Sequence, residues 1–374
     1  MRADVVVVGA GQAGLSAAYG LRRAGLEPGA GFVVLDGEDG PGGAWRHRWP
    51  TLRVDDAHRI SDLPGLPFAP ADPTRPAAEV VPEYFTAYEE LFDLQVRRPV
   101  HVRSVTDAEP ELVIETDAGD WTTRALINAT GTWTRPFRPV YPGAETFRGR
   151  QLHTVEYRGP AAFAGRRVVV VGGGTSAVQL LLEIAPVAAA TTWVTRRPPE
   201  FHEGPFDEEV GRAAVARVEE RVRAGLPPQS VVGVTGLGLT PAVRAGLASG
   251  VLSRRPMFDH ITPDGVAWAD GTSVAADVIL WATGWRAALG HLGPLHLRGT
   301  GGGIAMDGTR VRSDPRIHLV GYGPSASTIG ANRAGRAAAH QVVKLLGTDA
   351  PAPISPSTPL ISPFRHGDVA MPTR

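Results

Sequence analysis

The 374-residue sequence contains no cysteine. Disulfide scaffolds, thiolate zinc centres, iron–sulfur clusters, cysteine nucleophiles and dithiol relays all need that side chain, so its absence excludes them together. Lysine is nearly missing too. Lys344 stands alone, outside any Gly-Lys-Ser/Thr loop, which argues against P-loop and Schiff-base chemistry and leaves basic roles to arginine. Net charge is also lacking: 38 basic side chains face 38 acidic ones, so there is no electrostatic case for nucleic acid or an anionic membrane surface. Long apolar runs are absent as well. The best stretch, Ala177 to Val194, is interrupted by Glu183 and Pro186, whereas a spanning helix needs about 18 unbroken apolar residues. The expectation is a soluble, cytoplasmic protein with no nucleic-acid or membrane partner and no metal.

What the chain does have is glycine after short β-branched runs. Val5 to Val8 leads into Gly9-Ala10-Gly11-Gln12-Ala13-Gly14, then a helical stretch from Leu15 to Ala24, then a second apolar strand, Phe32 to Leu35, ending on Asp36. This order suits a dinucleotide: Gly9 permits the tight turn, Gly11 the approach of a pyrophosphate, and Gly14 close packing of helix on strand. The helix start, with Gln12 and Ala13, offers free N–H groups to phosphate. Asp36, 22 residues beyond Gly14, can accept hydrogen bonds from an adenosine ribose.

The pattern recurs at Arg166 to Val171, followed by Gly172-Gly173-Gly174-Thr175-Ser176-Ala177, a helical Val178 to Ile184 and a strand Thr191 to Thr195. Gly172, Gly174, Thr175 and Ser176 are the expected phosphate contacts. This second strand ends on Arg196-Arg197 instead of an acid, and guanidinium groups attract a 2′-phosphate, so the site suits NADPH. Two dinucleotide sites imply transfer between two cofactors, with FAD at the first. Without cysteine, the flavin must pass electrons to a dissolved acceptor: dioxygen, a quinone or another small molecule.

Between the glycine loops stands Phe147-Arg148-Gly149-Arg150-Gln151-Leu152-His153-Thr154-Val155-Glu156-Tyr157, and here the chain resembles the flavin-containing monooxygenases and their Baeyer–Villiger relatives, whose signature is F-x-G-x-x-x-H-x-x-x-Y. Tyr157 matches the N- and S-oxygenating branch, where Baeyer–Villiger enzymes usually carry Trp. Gly42-Gly43-Ala44-Trp45 resembles the family's flavin-side segment, with Gly43 and Trp45 toward FAD. Two A-T-G motifs, Ala129-Thr130-Gly131 and Ala282-Thr283-Gly284-Trp285, are similar to its domain-crossing segments. The resemblance also directs Gly321 and Thr328 to FAD, and Thr283 and Gly284 to NADPH. Departures are visible. The Asn expected after Trp45 in the oxygenating branch is missing, and Arg48 to Asp56 instead looks like the Baeyer–Villiger R-Y-P-G-x-R-x-D stretch, placing Asp55 near the flavin. The mobile arginine of those enzymes has no clear counterpart; Arg254 and Arg255 are the nearest choices.

The resemblance implies an α/β fold of two Rossmann-like dinucleotide-binding domains, the NADPH domain (158–284) inserted into an FAD domain (1–157 and 285–347), with a Pro/Ser-rich tail at 348–374. It implies an NADPH-dependent monooxygenase that forms a C4a-(hydro)peroxyflavin and oxygenates a soft nucleophile, a thioether or amine. Its partners would be dioxygen and a small-molecule substrate. Baeyer–Villiger oxygenation of ketones, an NADPH oxidase or quinone reductase, and a non-catalytic redox sensor remain alternatives. His153 and Tyr157, four apart, would share a helical face, His153 as a hydrogen-bonding strut and not an acid or base. Further expected elements are a helix from Pro82 to Phe92, three strands (100–105, 112–116, 122–127) forming a meander beside the main sheet, and an amphipathic helix from Asp207 to Ala224 with Val210, Ala214, Val218 and Val222 on one face. A hairpin around Asp270-Gly271, a strand from Ile317 into Gly321 and a closing helix from Ala331 to Leu346 complete the reading. The tail is either disordered or crosses to a partner subunit in a homodimer.

Overall fold

A computed structural model describes residues 1–57, 60–203, 208–228 and 236–347; the side chains of 208–215, 328 and 329 lie outside that description. The chain forms two compact units. Unit 1 holds residues 1–130, 289–297 and the described residues from 305 onward, and unit 2 holds 131–288 and 298–304.

Unit 1 begins with β1 (Arg2–Val8), α1 (Gln12–Arg23) and β2 (Phe32–Leu35), then α2 (Ala77–Leu91), β3 (Val102–Ala108), β4 (Glu111–Thr116) and β5 (Trp121–Asn128). Unit 2 follows with β6 (Arg150–His153), β7 (Arg167–Val171), α3 (Thr175–Ile184), β8 (Ala190–Thr195), β9 (Phe201–His202), α4 (Glu208–Arg223), β10 (Leu237–Gly238) and α5 (Pro241–Ala248). It closes with β11 (Arg254–Pro256), β12 (His260–Thr262), β13 (Gly265–Ala267), β14 (Ser273–Ala275) and β15 (Val278–Trp281). The return to unit 1 adds β16 (Met306–Asp307), β17 (Arg310–Val311), β18 (Ile317–Leu319) and α6 (Thr328–Leu346).

The main sheet of unit 1 runs β16-β17-β18-β5-β1-β2, with β18, β5, β1 and β2 parallel. Val5 to Val8 are all buried, as a parallel strand covered on both faces requires. Helices α1 and α6 approach so closely that a β-carbon on Gly20 would stand 2.7 Å from the Ala339 methyl, and one on Gly335 2.5 Å from the Ala13 carbonyl oxygen. Only small residues allow that crossing. The expected meander is corrected: β5 is a central strand pairing in parallel with β1 and β18, and only β3 and β4 hang from it as an antiparallel extension. Its Ala125, Leu126 and Ile127 are fully buried, which suits a central position. Helix α2 starts at Ala77, five residues before Pro82; the ring is accommodated inside the helix instead of opening it.

Unit 2 is a five-stranded, all-parallel sheet in the order β11-β8-β7-β15-β6, with the antiparallel β12-β13-β14 beside its core. Asp270-Gly271 makes the turn of the β13–β14 hairpin, Gly271 taking φ +85°. Val218 and Val222 of α4 are buried, while the side chains of Val210 and Ala214 fall outside the description, as does the tail from 348. Phe147 to Tyr157 belong to unit 2, because β6 pairs with β15; the compact unit therefore begins at Gly131, upstream of the boundary expected at 157. Residues 131–137 and 284–288, where the chain enters and leaves this unit, run side by side through Phe137 N–H to Gly284 O, Arg286 N–H to Arg135 O and Ala288 N–H to Gly131 O, each 2.9 Å.

Candidate functional site

Each unit places a glycine loop at the C-terminal end of a parallel strand, beside an A-T-G segment leaving a neighbouring strand. In unit 1, a β-carbon on Gly9 would stand 2.6 Å from the Ala129 carbonyl oxygen. In unit 2, one on Gly172 would collide with the carbonyl oxygen of Ala282. The same contact is built twice. Gly14 is pressed against the Gly9 carbonyl and the Ala129 methyl, while Ala177 takes its place in the second loop.

Gly11 and Gly174 cap α1 and α3 in extended conformations, and neither helix has a side-chain cap. The first N–H groups, those of Gln12 and Ala13 and of Thr175 and Ser176, are therefore left for an acceptor that is not a capping side chain. Among the described residues, no heavy atom beyond the chain neighbours lies within 4 Å of where a β-carbon would stand on Gly11 or Gly174. Both loops thus fit a pyrophosphate.

Around the first loop, a β-carbon on Gly43 would stand 3.0 Å from the Gly11 α-carbon, and one on Gly321 3.8 Å from the Ala13 methyl. Trp45 packs against the core under the Arg48 guanidinium, 5.5 Å from its ring centre. Gln12 donates to Ser61 O and Asn332 Oδ1, both at 3.0 Å, and Ser16 Oγ donates to the same Asn332 oxygen at 2.7 Å. Gln12 Oε1 is buried without a hydrogen-bond partner among the described residues, an acceptor left over at the helix start. Asn128 links Thr130 Oγ1 (3.0 Å) to His291 Nε2 (2.6 Å), and burial pushes the His291 pKa down to about 4. Thr328 is the first residue of α6, behind the Ser327 N-cap. Asp55 is exposed in the turn after Arg53, its N–H donating to Pro73 O.

Asp36 is not an isolated acceptor. Arg98 Nε donates to its Oδ2 at 2.8 Å, and the rest of the same guanidinium grips both oxygens of Glu89 at 2.6 Å. Burial pushes the Glu89 carboxyl up against the pull of Arg98. Arg98 and Glu89 escaped the sequence reading because they lie far along the chain and reach Asp36 only through pairing beyond β2, where Leu35 bridges Arg97. Asn332 escaped it for the same reason.

In unit 2, Arg196 and Arg197 stand exposed at the end of β8. The Thr195 hydroxyl donates to Arg197 O at 2.7 Å and accepts from Arg254 Nε at 2.6 Å. Arg255 instead lies over Trp268, 4.4 Å from the ring centre. Gly284 has φ +77°, and its carbonyl accepts from Phe137 N–H and from His153 Nε2 at 3.0 Å; Thr283 Oγ1 donates to Phe137 O. Trp133 and Trp285 stack with ring centres 5.5 Å apart.

The Phe147 to Tyr157 segment is a strap. A β-carbon on Gly149 would collide with the carbonyl oxygen of Asp277, so glycine is required where β6 meets β15. His153 caps a single 3₁₀ turn and Tyr157 ends it, so the expected shared helical face does not form: the four-residue spacing spans a turn, not a helix. His153 Nδ1 accepts from Val155 N–H at 3.3 Å while Nε2 faces the Gly284 carbonyl, which fixes the neutral tautomer with hydrogen on Nε2. Burial holds its pKa down at about 4. Tyr157 OH donates to Glu183 Oε2 of α3 at 2.5 Å, and burial raises its pKa. The strut reading of His153 thus has a full set of bonds behind it.

Two β–glycine loop–α units, each with its own A-T-G segment, define a two-dinucleotide oxidoreductase. The family described as pyridine nucleotide-disulphide oxidoreductase matches residues 6–226. A flavin-containing monooxygenase from Stenotrophomonas maltophilia is 38% identical, with a TM-score of 0.78 over 92% of this chain and 99% of that one. Indole-3-pyruvate monooxygenase YUCCA1 from Oryza sativa subsp. japonica is 28% identical over 325 residues, 75% of this chain and 76% of its own length. A Baeyer-Villiger monooxygenase from Streptomyces coelicolor is 34% identical over 206 residues, covering 52% of this chain and 38% of the relative. The chain belongs to the pyridine nucleotide-disulphide oxidoreductase family, as one of its flavin-containing monooxygenases. It is an oxidoreductase, and with no cysteine it cannot carry a redox disulphide of its own. Among the described residues no helix is long and apolar enough to cross a membrane.

Proposed function

We propose that this flavin monooxygenase-type oxidoreductase binds FAD in unit 1 and NADPH in unit 2, and transfers one oxygen atom of dioxygen to a soft nucleophile, a thioether or amine. The observation that carries this reading is the doubled loop: two uncapped helix starts, each facing open space at Gly11 or Gly174, one followed by a buried carboxylate and the other by two exposed guanidiniums. FAD and NADPH are the cofactors. The flavin, when bound, supplies the electron transfer from NADPH and the activation of dioxygen.

The chain's own residues bind and orient. Gly11 and the N–H groups of Gln12 and Ala13 take the FAD pyrophosphate, Gly9 and Gly14 shape the loop that presents them, and Asp36, held by Arg98, takes the ribose. Gly43, Trp45, Ala129, Thr130, Gly131, Gly321 and Thr328 flank it, with Asp55 tuning the flavin environment. Gly172, Gly174, Thr175 and Ser176 take the NADPH pyrophosphate, Arg196 and Arg197 the 2′-phosphate, and Thr283 and Gly284 the nicotinamide side. Phe147, Gly149, His153 and Tyr157 act as a strap that holds the A-T-G-W turn.

The test is turnover under ¹⁸O₂ with NADPH and a panel of aryl thioethers, tertiary amines and cyclic ketones. One ¹⁸O atom in sulfoxide or N-oxide is the expected result. Lactone labelled instead of these products establishes the Baeyer–Villiger reading, which the Streptomyces coelicolor relative and the Arg48–Asp55 stretch favour. Return of all NADPH electrons as hydrogen peroxide with every substrate defeats both.

A further inference from the structure

The parallel sheet of unit 2 has two ends. Its C-terminal end carries residues 172–176 and 282–284. At the opposite end, where β6, β7 and β15 begin, a cleft of about 370 Å³ opens, lined by Arg148, Arg150, Arg166 and Arg167 together with Asp264 and Asp277. That volume lies at the small end of the range for ligand pockets, roughly 300–1,000 Å³.

Both acids are already engaged. Arg148 pairs with Asp264, and Arg167 reaches Asp277 through Nη2 to Oδ1 at 2.6 Å, through Nε at 3.2 Å and through its backbone N–H at 2.8 Å to Oδ2. Asp277 is also the hinge pin of the sheet end: its carbonyl accepts from Arg150 N–H and its N–H donates to Arg167 O, both at 2.9 Å. The hydrogen bonds from Arg167 hold its carboxyl down at about 2, so it stays ionised throughout the neutral range. Arg150 and Arg166 are exposed and form no side-chain hydrogen bond or ion pair among the described residues, although Arg166 is close enough to add to the field on Asp277. Four guanidiniums against two carboxylates leave two positive charges at a cleft whose lining also includes Gly149, Ala162 and Ala276. A guanidinium fork matches the paired oxygens of phosphate and carboxylate alike.

We propose that this cleft binds a small dianion, a phosphate group or a pair of carboxylates, between Arg150 and Arg166. It lies at the sheet end away from the nucleotide loop and does not depend on the cofactor assignment.

The test is isothermal titration calorimetry of inorganic phosphate and of malonate into the flavin-loaded full chain, with ionic strength held constant by chloride. Saturable binding of at least one anion is expected, weakened at least tenfold in Arg150→Ser/Arg166→Ser and in Arg166→Glu, with the near-UV circular dichroism of both variants unchanged. Arg223→Ser, an exposed arginine of α4 outside the cleft that pairs with Glu219, should bind as the parent does. Response to phosphate alone names a phosphoryl ligand, and response to malonate alone a dicarboxylate; either upholds the site. Heats no larger than those of chloride for both anions, undiminished binding in both cleft variants, or loss of binding in Arg223→Ser would each overturn it.

Discussion

His153 is fully buried and uses both ring nitrogens, one to accept from Val155 N–H and one to donate to Gly284 O. A second buried imidazole, His318, bonds Thr309 through Nδ1, and burial likewise holds its pKa at about 4. In the unfolded chain these groups take up protons below about pH 6.5, whereas in the folded protein they resist until about pH 4. The unfolded state therefore binds more protons in that window, and stability falls as the pH drops through it, each group contributing up to about 3 kcal/mol. The urea midpoint should be level above pH 7 and decline between pH 6.5 and 4. His153→Gln, which keeps a donor for Gly284 but does not titrate, should flatten part of that decline; an unchanged slope would assign the effect elsewhere. At the other nucleotide site, Arg197→Ala should raise the KM for NADPH roughly 10- to 100-fold, the loss of about 1.5–3 kcal/mol in a charge-assisted hydrogen bond, and leave the KM for NADH unchanged. Equal effects on both would refute the 2′-phosphate assignment.

At the scale of elements, glycines mark where backbones meet. Gly149 is packed onto the Asp277 carbonyl, which is itself tied by Arg150 N–H, so an added methyl must push β6 away from β15. Gly149→Ala should cost about 1–3 kcal/mol in chemical unfolding, as overpacking does elsewhere. The crossing of α1 and α6 obeys the same rule: Gly335→Leu would drive a large side chain into the first turn of α1, where Ala13 and Ser16 stand. A loss of flavin retention on gel filtration at unchanged secondary structure is the expected signature, because α1 offers the N–H groups of the first loop. The sequence revealed the glycine loops through local pattern, but gave no sign of these second uses, since a glycine that meets a distant carbonyl looks like any other glycine in a strand or helix.

For the whole molecule, the repeated unit matters most. Gly9 with Ala129 and Gly172 with Ala282 are the same contact in two sheets, so each unit carries its own glycine loop with the alanine of an A-T-G segment against it. Removing FAD should therefore deprotect residues 9–14 and 43–45 to hydrogen exchange while leaving 172–176 as they were, and NADP⁺ should protect 172–176 in return. Exchange changes spread equally over both loops would sink the one-cofactor-per-unit assignment. The two β–loop–α starts, the acid after one and the arginines after the other were legible because each is written within about thirty residues, where hydrophobic period and glycine spacing act locally. The lack of cysteine excluded a redox disulphide even though the family's description names one. Other features depended on pairings between residues far apart in the chain. The central place of β5, the Arg98–Glu89 grip on Asp36, the strap of β6 on β15 and the arginine cleft at the foot of the second sheet all arise where distant strands align. Local pattern can state which residues form a strand, but strand order and register are set by which buried faces cover one another, and that competition is settled only by the folded chain.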